Sequence, residues 1–179
     1  MMYAEAIFAG MGGQGALLAA QILAHAGVFE NRQVVWYPAY GPETRGGTAT
    51  CTLIISDEQI GAPIATQPAI LVAFNQTMLD LYIDKVKAGG IVIYNSDLAE
   101  APKRADITAY GIPANKIAIE VGNMRSQNMA MVGAYTRITG IVNADSVQWA
   151  MENHFPEKAK KAIPVNMDAL RKGYDAAVK

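Results

Sequence analysis

The chain has 179 residues, 51% apolar and 17% charged, with 15 Lys+Arg against 16 Asp+Glu for a net charge of −1. That length is about one domain at roughly 150 residues each, long enough for a core without disulfide or metal staples. A balanced charge argues against a broad electrostatic footprint for nucleic acid or an anionic membrane. The charged share lies below the usual value of about 25%, which fits either a large subunit interface or a small Ala/Gly-rich domain.

One cysteine, Cys51, excludes an internal disulfide and an iron–sulfur cluster held by four cysteines of this chain. His25 and His154 lie far apart in sequence with no ligand spacing around them, so no histidine zinc site is expected. The opening residues are strand-like without a basic n-region, so no signal peptide is expected. The uncharged stretches 6–29 and 59–79 are broken by Gly, Gln, Asn or Pro, and neither reads as a membrane span. A soluble cytoplasmic protein is the expectation.

Eight of the 31 charges fall in residues 1–80. The N-terminal half therefore reads as buried sheet or interface, and the C-terminal half as solvated helices. In chain order, 5–9 is a short apolar strand ending in glycines, and 14–29 an Ala/Leu-rich helix. A second strand covers 34–37 and a Gly/Pro loop 40–47. The β-branched run 48–55 is a third strand. After a loop over 61–68 comes a buried strand at 70–74, then a helix to Val86 for which Asn75 is the candidate cap. Strands follow at 90–94 and 107–110, and helices near 114–120, 125–141, 145–154 and 167–178. The alternation predicts a single α/β domain over 1–179: a three-layer α/β/α Rossmann-like sandwich with a mainly parallel sheet and helices on both faces. No helix separates the second and third strands, so that pair can be antiparallel and the sheet mixed.

Gly10-Met11-Gly12-Gly13-Gln14-Gly15 satisfies G-x-G-x-x-G between a predicted strand and a predicted helix, the context that makes the motif worth reading. Glycines permit a tight turn and close approach of a ligand to the backbone, and the helix N-terminus offers N–H groups and a positive dipole end. Gln14 adds an amide at the rim. Ala16 stands where a Walker motif would place lysine. The acidic residue that would hold a ribose after the second strand is missing, because Glu30 falls at the helix end. Three readings stay open: a phosphate-bearing ligand, packing on a partner subunit, or close strand–helix packing alone.

Tyr40-Gly41-Pro42-Glu43-Thr44-Arg45-Gly46-Gly47 is the second candidate. Glu43 and Arg45 are the only charges between Arg32 and Asp57. Following a strand adjacent to the first, this loop is expected beside the glycine loop. Arg45 can hold phosphate or carboxylate in bidentate fashion. It can equally pair with Glu43 and stiffen the turn.

GMGGQG near the N-terminus together with YGPETRGGTATC some thirty residues on resembles the gamma subunit or domain of 2-oxoacid:ferredoxin oxidoreductases, the pyruvate, 2-oxoglutarate, 2-oxoisovalerate and indolepyruvate types. The resemblance continues through the strand and helix after Ile70, the 123–141 helix and the 166–177 ending. The spelling YGPETRGG is most similar to the 2-oxoglutarate or branched-chain members. The resemblance implies a reaction in which a 2-oxoacid is decarboxylated on thiamine diphosphate, electrons leave through iron–sulfur clusters to ferredoxin, and the acyl group passes to coenzyme A. It implies alpha and beta partner subunits, with a delta subunit where one exists, that carry thiamine diphosphate, Mg and the clusters. This chain would bind no cofactor tightly and would not be catalytic alone, since it also lacks a GDG with a downstream Asn. It would help form the coenzyme A site and close over the active centre, through Gly10, Gly12, Gly13, Gln14, Gly15, Tyr40, Gly41, Glu43, Arg45, Gly46, Gly47 and Asn75. A homodimer of the isolated chain is a further expectation. The competing readings are a stand-alone NAD- or flavin-binding oxidoreductase and a purely structural assembly subunit.

Other residues read more plainly. Cys51 reads as a packed thiol, since no His is near in sequence. Asn75 is either a helix cap or a polar contact in the cleft. Met131, Tyr135, Ile138 and Val142 form a helical core stripe, as do Met167, Leu170 and Tyr174. Asn123, Arg125 and Asn128 can face the cleft or a partner. Lys158, Lys160 and Lys161 read as a solvated face.

Overall fold

The computed structural model describes residues 2–41, 47–61 and 65–178. Six strands form one sheet: β1 (Tyr3–Met11), β2 (Gln33–Tyr40), β3 (Thr48–Ser56), β4 (Ile70–Ala73), β5 (Ile91–Asn95) and β6 (Thr108–Ile112). Their spatial order is β2-β3-β1-β4-β5-β6. The β1, β4, β5 and β6 strands run parallel, whereas β3 is antiparallel to both β1 and β2. The predicted mixed, mainly parallel sheet is thus present. One detail differs: β1 and β2 are not adjacent, because β3 lies between them.

Among the described residues seven helices flank the sheet: α1 (Ala16–Phe29), α2 (Gln76–Tyr82), α3 (Ala114–Glu120), α4 (Gln127–Thr139), α5 (Ala144–His154), α6 (Glu157–Lys160) and α7 (Ile163–Ala176). The strand period of two sends Ala4, Ala6, Phe8, Cys51, Leu53 and Ile55 to one face, where α1, α3, α4, α5 and α7 cover them. Ile7, Ala9, Leu71, Ala73 and Val92 point to the other face and meet Met78 and Leu79 of α2. The three layers are therefore unequal, with a single short helix and its following turn on the second face. The central strands are buried on both sides, which is why β4 reads Ile-Leu-Val-Ala without alternation.

The open edge at β2 is blunted by sequence. The Gly41 N–H bonds to Thr48 O at 2.8 Å, continuing the β2–β3 ladder. Alternation then turns Ala39, Tyr37 and Val35 toward β3, and Pro38 with Trp36 and Val34 outward. Proline at an outward position costs no ladder bond and interrupts the row of edge donors.

Several boundaries move for local reasons. The helix expected to run to Val86 ends at Tyr82 and continues as a 3-10 turn over Ile83–Lys85. Arg104 Nη1 donates to the carbonyls of Ile83 and Val86, at 2.6 and 2.9 Å, and so satisfies the ends that a longer helix would have used itself. The last helix begins at Ile163 rather than 167, because Pro164 sits in its first turn, where a missing N–H costs nothing. The lysine run belongs partly to α6, a short helix not expected from the sequence pattern; Lys158 and Lys161 are exposed and Lys160 pairs with Glu157.

The stripe of Met131, Tyr135 and Val142 is buried, with Ile138 at its margin. Met167 and Leu170 are buried too, but Tyr174 leaves the core and lies half-exposed under the Arg137 guanidinium. Where α4 crosses α7, a Cβ on Gly133 would lie 2.0 Å from Leu170 O, and one on Gly173 2.0 Å from Ala130 O. Backbone touches backbone there, and no side-chain rotation can relieve an added methyl. Gly133→Ala should therefore destabilise the fold by on the order of 2 kcal/mol through overpacking, despite alanine's better helix propensity. Urea denaturation of the two proteins checks this; an unchanged or raised midpoint would show that the helices can separate at no cost.

Candidate functional site

The C-terminal ends of β1 and β4 form the point where the chain's order reverses in the sheet, β3 and β2 leaving to one side and β4 to β6 to the other. In open α/β sheets ligands bind at such a crevice. The glycine loop occupies it. Gly10 is the last buried residue of β1, and a Cβ there would lie 2.9 Å from Ala16 Cβ, so this glycine serves close strand–helix packing. Gly12 and Gly13 are exposed at the rim. Gly15 precedes α1 at φ 79°, a left-handed conformation that favours glycine, and a Cβ would fall 2.7 Å from Asn128 Nδ2.

The Gln14 side chain turns inward rather than to the rim. Its Oε1 accepts from Met11 N at 2.8 Å and from Asn75 Nδ2 at 2.6 Å. Its Nε2 donates to Phe74 O at 3.3 Å. One amide therefore ties the end of β1 to the end of β4 and to the cap of α2. Asn75 is both things the sequence allowed: its Oδ1 accepts from Met78 N at 2.9 Å as the cap, and its amide reaches the cleft.

The second loop does reach the first, by a route other than the expected one. Residues 42–46, which include the candidates Glu43, Arg45 and Gly46, lie outside the described residues. The residues on either side are placed. Tyr40 ends β2 at 73% exposure, and Gly47 is buried where β3 begins beside β1. The Gly12 N–H donates to Gly47 O at 2.9 Å. The antiparallel insertion of β3 thus brings Gly47 to the glycine rim, since the start of β3 pairs with the end of β1, Thr48 opposite Met11.

The chemistry at this rim is that of backbone donors beside a helix N-terminus. No side chain caps α1, and its first turn holds no acidic residue, so the positive end of the helix dipole is left uncompensated by its own sequence. Two loop amides are already spent, Gly12 N on Gly47 O and Gln14 N on Met11 O. Across the strand ends the Gln14 and Asn75 amides bond to each other, and Gln14 to Phe74 O. Glu30 is at the far end of α1, accepting from Asn143 N at 2.7 Å and pairing with Arg32, and so is remote from any ribose position. The remote Glu30 counts against a dinucleotide site. Exposed Met11 and Leu18 flank the loop and make an apolar border.

Asn128 faces neither the cleft nor a partner but the glycine loop. It is 4% exposed, and its Nδ2 donates to Gly15 O at 3.4 Å, so the start of α4 buttresses the glycine loop from within. Asn123 instead caps the 3-10 turn before α4, and Arg125 is exposed. Cys51 is buried, its thiol donating to Thr52 O at 3.3 Å, and burial pushes its pKa up to about 12. It stays protonated and is neither nucleophile nor thiolate ligand. Among the described residues no three His, Cys, Asp or Glu side chains cluster as a metal site, and no helix is long and apolar enough to cross a membrane.

Residues 5–176 match the family model described as pyruvate ferredoxin/flavodoxin oxidoreductase, and the chain belongs to that family. It is 42% identical over 172 residues to the ketoisovalerate oxidoreductase subunit VorA of Methanothermobacter marburgensis, covering 96% of this chain but 36% of that one. The chain thus spans about a third of the length of that relative. It is 38% identical over 180 residues to the 2-oxoglutarate synthase subunit KorC of Methanocaldococcus jannaschii, covering 98% of this chain and 95% of KorC. Among solved structures it is similar to the keto/oxoacid ferredoxin oxidoreductase gamma subunit of Geobacter sulfurreducens, at a TM-score of 0.81 and 30% identity over 97% of this chain and 98% of that one.

The Gln14 strut makes a stability claim. Gln14→Ala removes three hydrogen bonds and leaves the Met11 N–H and the Asn75 amide without their partner, a cost of about 1–3 kcal/mol. Asn75→Ala should cost a comparable amount, and Asn75→Ser less, since serine keeps the cap. Thermal and urea unfolding of the three variants measure this; equal losses for Asn75→Ser and Asn75→Ala would remove the capping role.

Proposed function

We propose that this chain is the gamma subunit of a multisubunit 2-oxoacid:ferredoxin oxidoreductase, with 1–179 forming one gamma-type domain. The observation that carries this reading is the end-to-end family match combined with the joining of the two glycine-rich loops at one sheet edge, through Gly12 and Gly47. The near-complete overlap with KorC and the partial overlap with VorA favour a 2-oxoglutarate or branched-chain 2-oxoacid as substrate of the assembled enzyme. On partner subunits, alpha and beta and a delta where present, thiamine diphosphate with Mg supplies the decarboxylation chemistry, and iron–sulfur clusters pass electrons to ferredoxin. The setting is the cytoplasm, in keeping with a single free cysteine.

This chain's own contribution is to coenzyme A. The residues at the rim fit a phosphate-bearing ligand: an uncapped, acid-free start to α1, exposed Gly12 and Gly13, and open space beyond Gly13. Arg45 and Tyr40 complete the set, Arg45 neutralising phosphate and Tyr40 offering an exposed ring. Gln14, Asn75 and Asn128 act behind them by holding the loop. The apolar border of Met11 and Leu18 supports a second task, docking against the partner that carries the active centre.

Native pull-down from the source cells, with subunits identified by mass spectrometry and bound thiamine diphosphate and iron assayed, tests the assembly. Larger chains carrying those cofactors should co-purify, and a panel of 2-oxoacids should then give the substrate. A chain that purifies alone with stoichiometric nucleotide would overturn the reading. In the assembled enzyme Arg45→Ala should raise KM for coenzyme A with little change in kcat at saturation; an unchanged KM would exclude Arg45 from the site.

A further inference from the structure

His25 and His154 are 129 positions apart in the chain, yet their rings stack with centroids 3.4 Å apart and planes 12° from parallel. The pair closes one end of an antiparallel contact between α1 and α5. In the middle, Phe29 stacks on Trp149 at 4.1 Å, and Trp149 also meets the His154 ring edge-on at 5.8 Å. At the other end the Glu30 carboxylate accepts from Asn143 N and Nδ2, at 2.7 and 3.3 Å. The helix α5 is thus fastened to α1 at three places, and only the histidine end joins two groups that can both become cations near neutral pH.

The charged groups around the pair do not compensate them. On α1 and just after it, Glu30 is engaged with Asn143 and Arg32, and Arg32 with Asp57 of the segment after β3. On α5, Glu152 accepts from Gln148 Nε2 and lines the groove toward Asp168 and Arg171 of α7. Asp145 is exposed in the first turn of α5, at the opposite end from His154. On α6, Glu157 pairs with Lys160, and Lys158 and Lys161 are cations. Neither imidazole has an ion pair to a carboxylate among the described residues.

We propose that the His25–His154 stack is a proton-sensitive clasp: Met151 is buried in the core, neutral rings hold the exposed end of α5 beyond it (152–154) on α1, and protonation of both releases that end with residues 155–162. One imidazolium can remain beside a neutral ring, but two put like charges face to face at contact distance. Burial, and then the charge of His154, hold His25 below its ordinary value of 6.5. A lowered value in the closed form means that the open form takes up the proton more readily. The clasp's contribution is therefore complete above about pH 6.5 and is lost as pH falls below it. The Trp149–Phe29 stack carries no titrating group, so the middle of α5 stays docked while its end opens.

Amide hydrogen exchange of the full chain, corrected for intrinsic rate and followed from about pH 8 to about pH 5.5, reads this directly. In the wild type, peptides covering 150–162 should gain exchange several-fold at the acid end relative to peptides of α4. His154→Phe keeps an aromatic stack without the charge and should flatten the profile; His25→Gln should do the same by removing the other cation. A wild-type profile that is already flat, or variants that follow the wild-type curve, would overturn the proposal. Should a variant fail to fold, NMR titration of the wild-type rings decides. Its expected result is His25 titrating below 6.5 together with the onset of exchange, and a His25 titration at or above that value would overturn the clasp.

Discussion

The candidate site depends on one side-chain amide. Gln14 bridges the ends of β1 and β4 and the Asn75 cap of α2, at the point in the sheet where a doubly wound fold opens. An unfilled crevice there would have exposed the carbonyl of Phe74 and the N–H of Met11. The amide satisfies both and sets the glycine loop's path, and Asn128 supports the same loop from α4. What the loop then presents outward is limited to its rim.

The second dependence is topological. Placing β3 antiparallel between β1 and β2 sets the start of β3 against the end of β1. The Gly12–Gly47 hydrogen bond thereby joins the glycine loop to the residue that precedes β3. In a wholly parallel arrangement a crossover helix would have separated them. The small residues follow from the same economy of space. An alanine-rich α1 lies close on the sheet, and α4 meets α7 backbone to backbone at Gly133 and Gly173.

Much of this was legible beforehand. The glycine loop sits between a strand and a helix, Asn75 caps α2, and the run Ile-Leu-Val-Ala is a strand buried on both faces, because each of these is set by local chemistry. So is the antiparallel character of β3, foreshadowed by the lack of a helix before it. The joint occurrence of GMGGQG and YGPETRGG was enough to indicate the family, which the whole-length match shows.

Other features depend on contacts between segments far apart in the chain, and no local pattern signals them. Gln14 reads as a rim donor until Phe74 and Asn75, sixty positions away, are placed beside it. Asn128 reads as a polar residue on a helix until Gly15 is found above it. His25 and His154 give no ligand spacing in sequence and become partners only when α5 folds back along α1. The turn after α2 has its Ile83 and Val86 carbonyls taken by Arg104, a bond that requires the segment between β5 and β6 to be in place. The sequence by itself determined most of the elements, though not α6 or every boundary, together with the two motifs and the family, since propensity, periodicity and motif act over a few residues. Tertiary structure alone decided which polar groups those loops have left to offer a ligand, since hydrogen bonds across the sheet edge consume the rest.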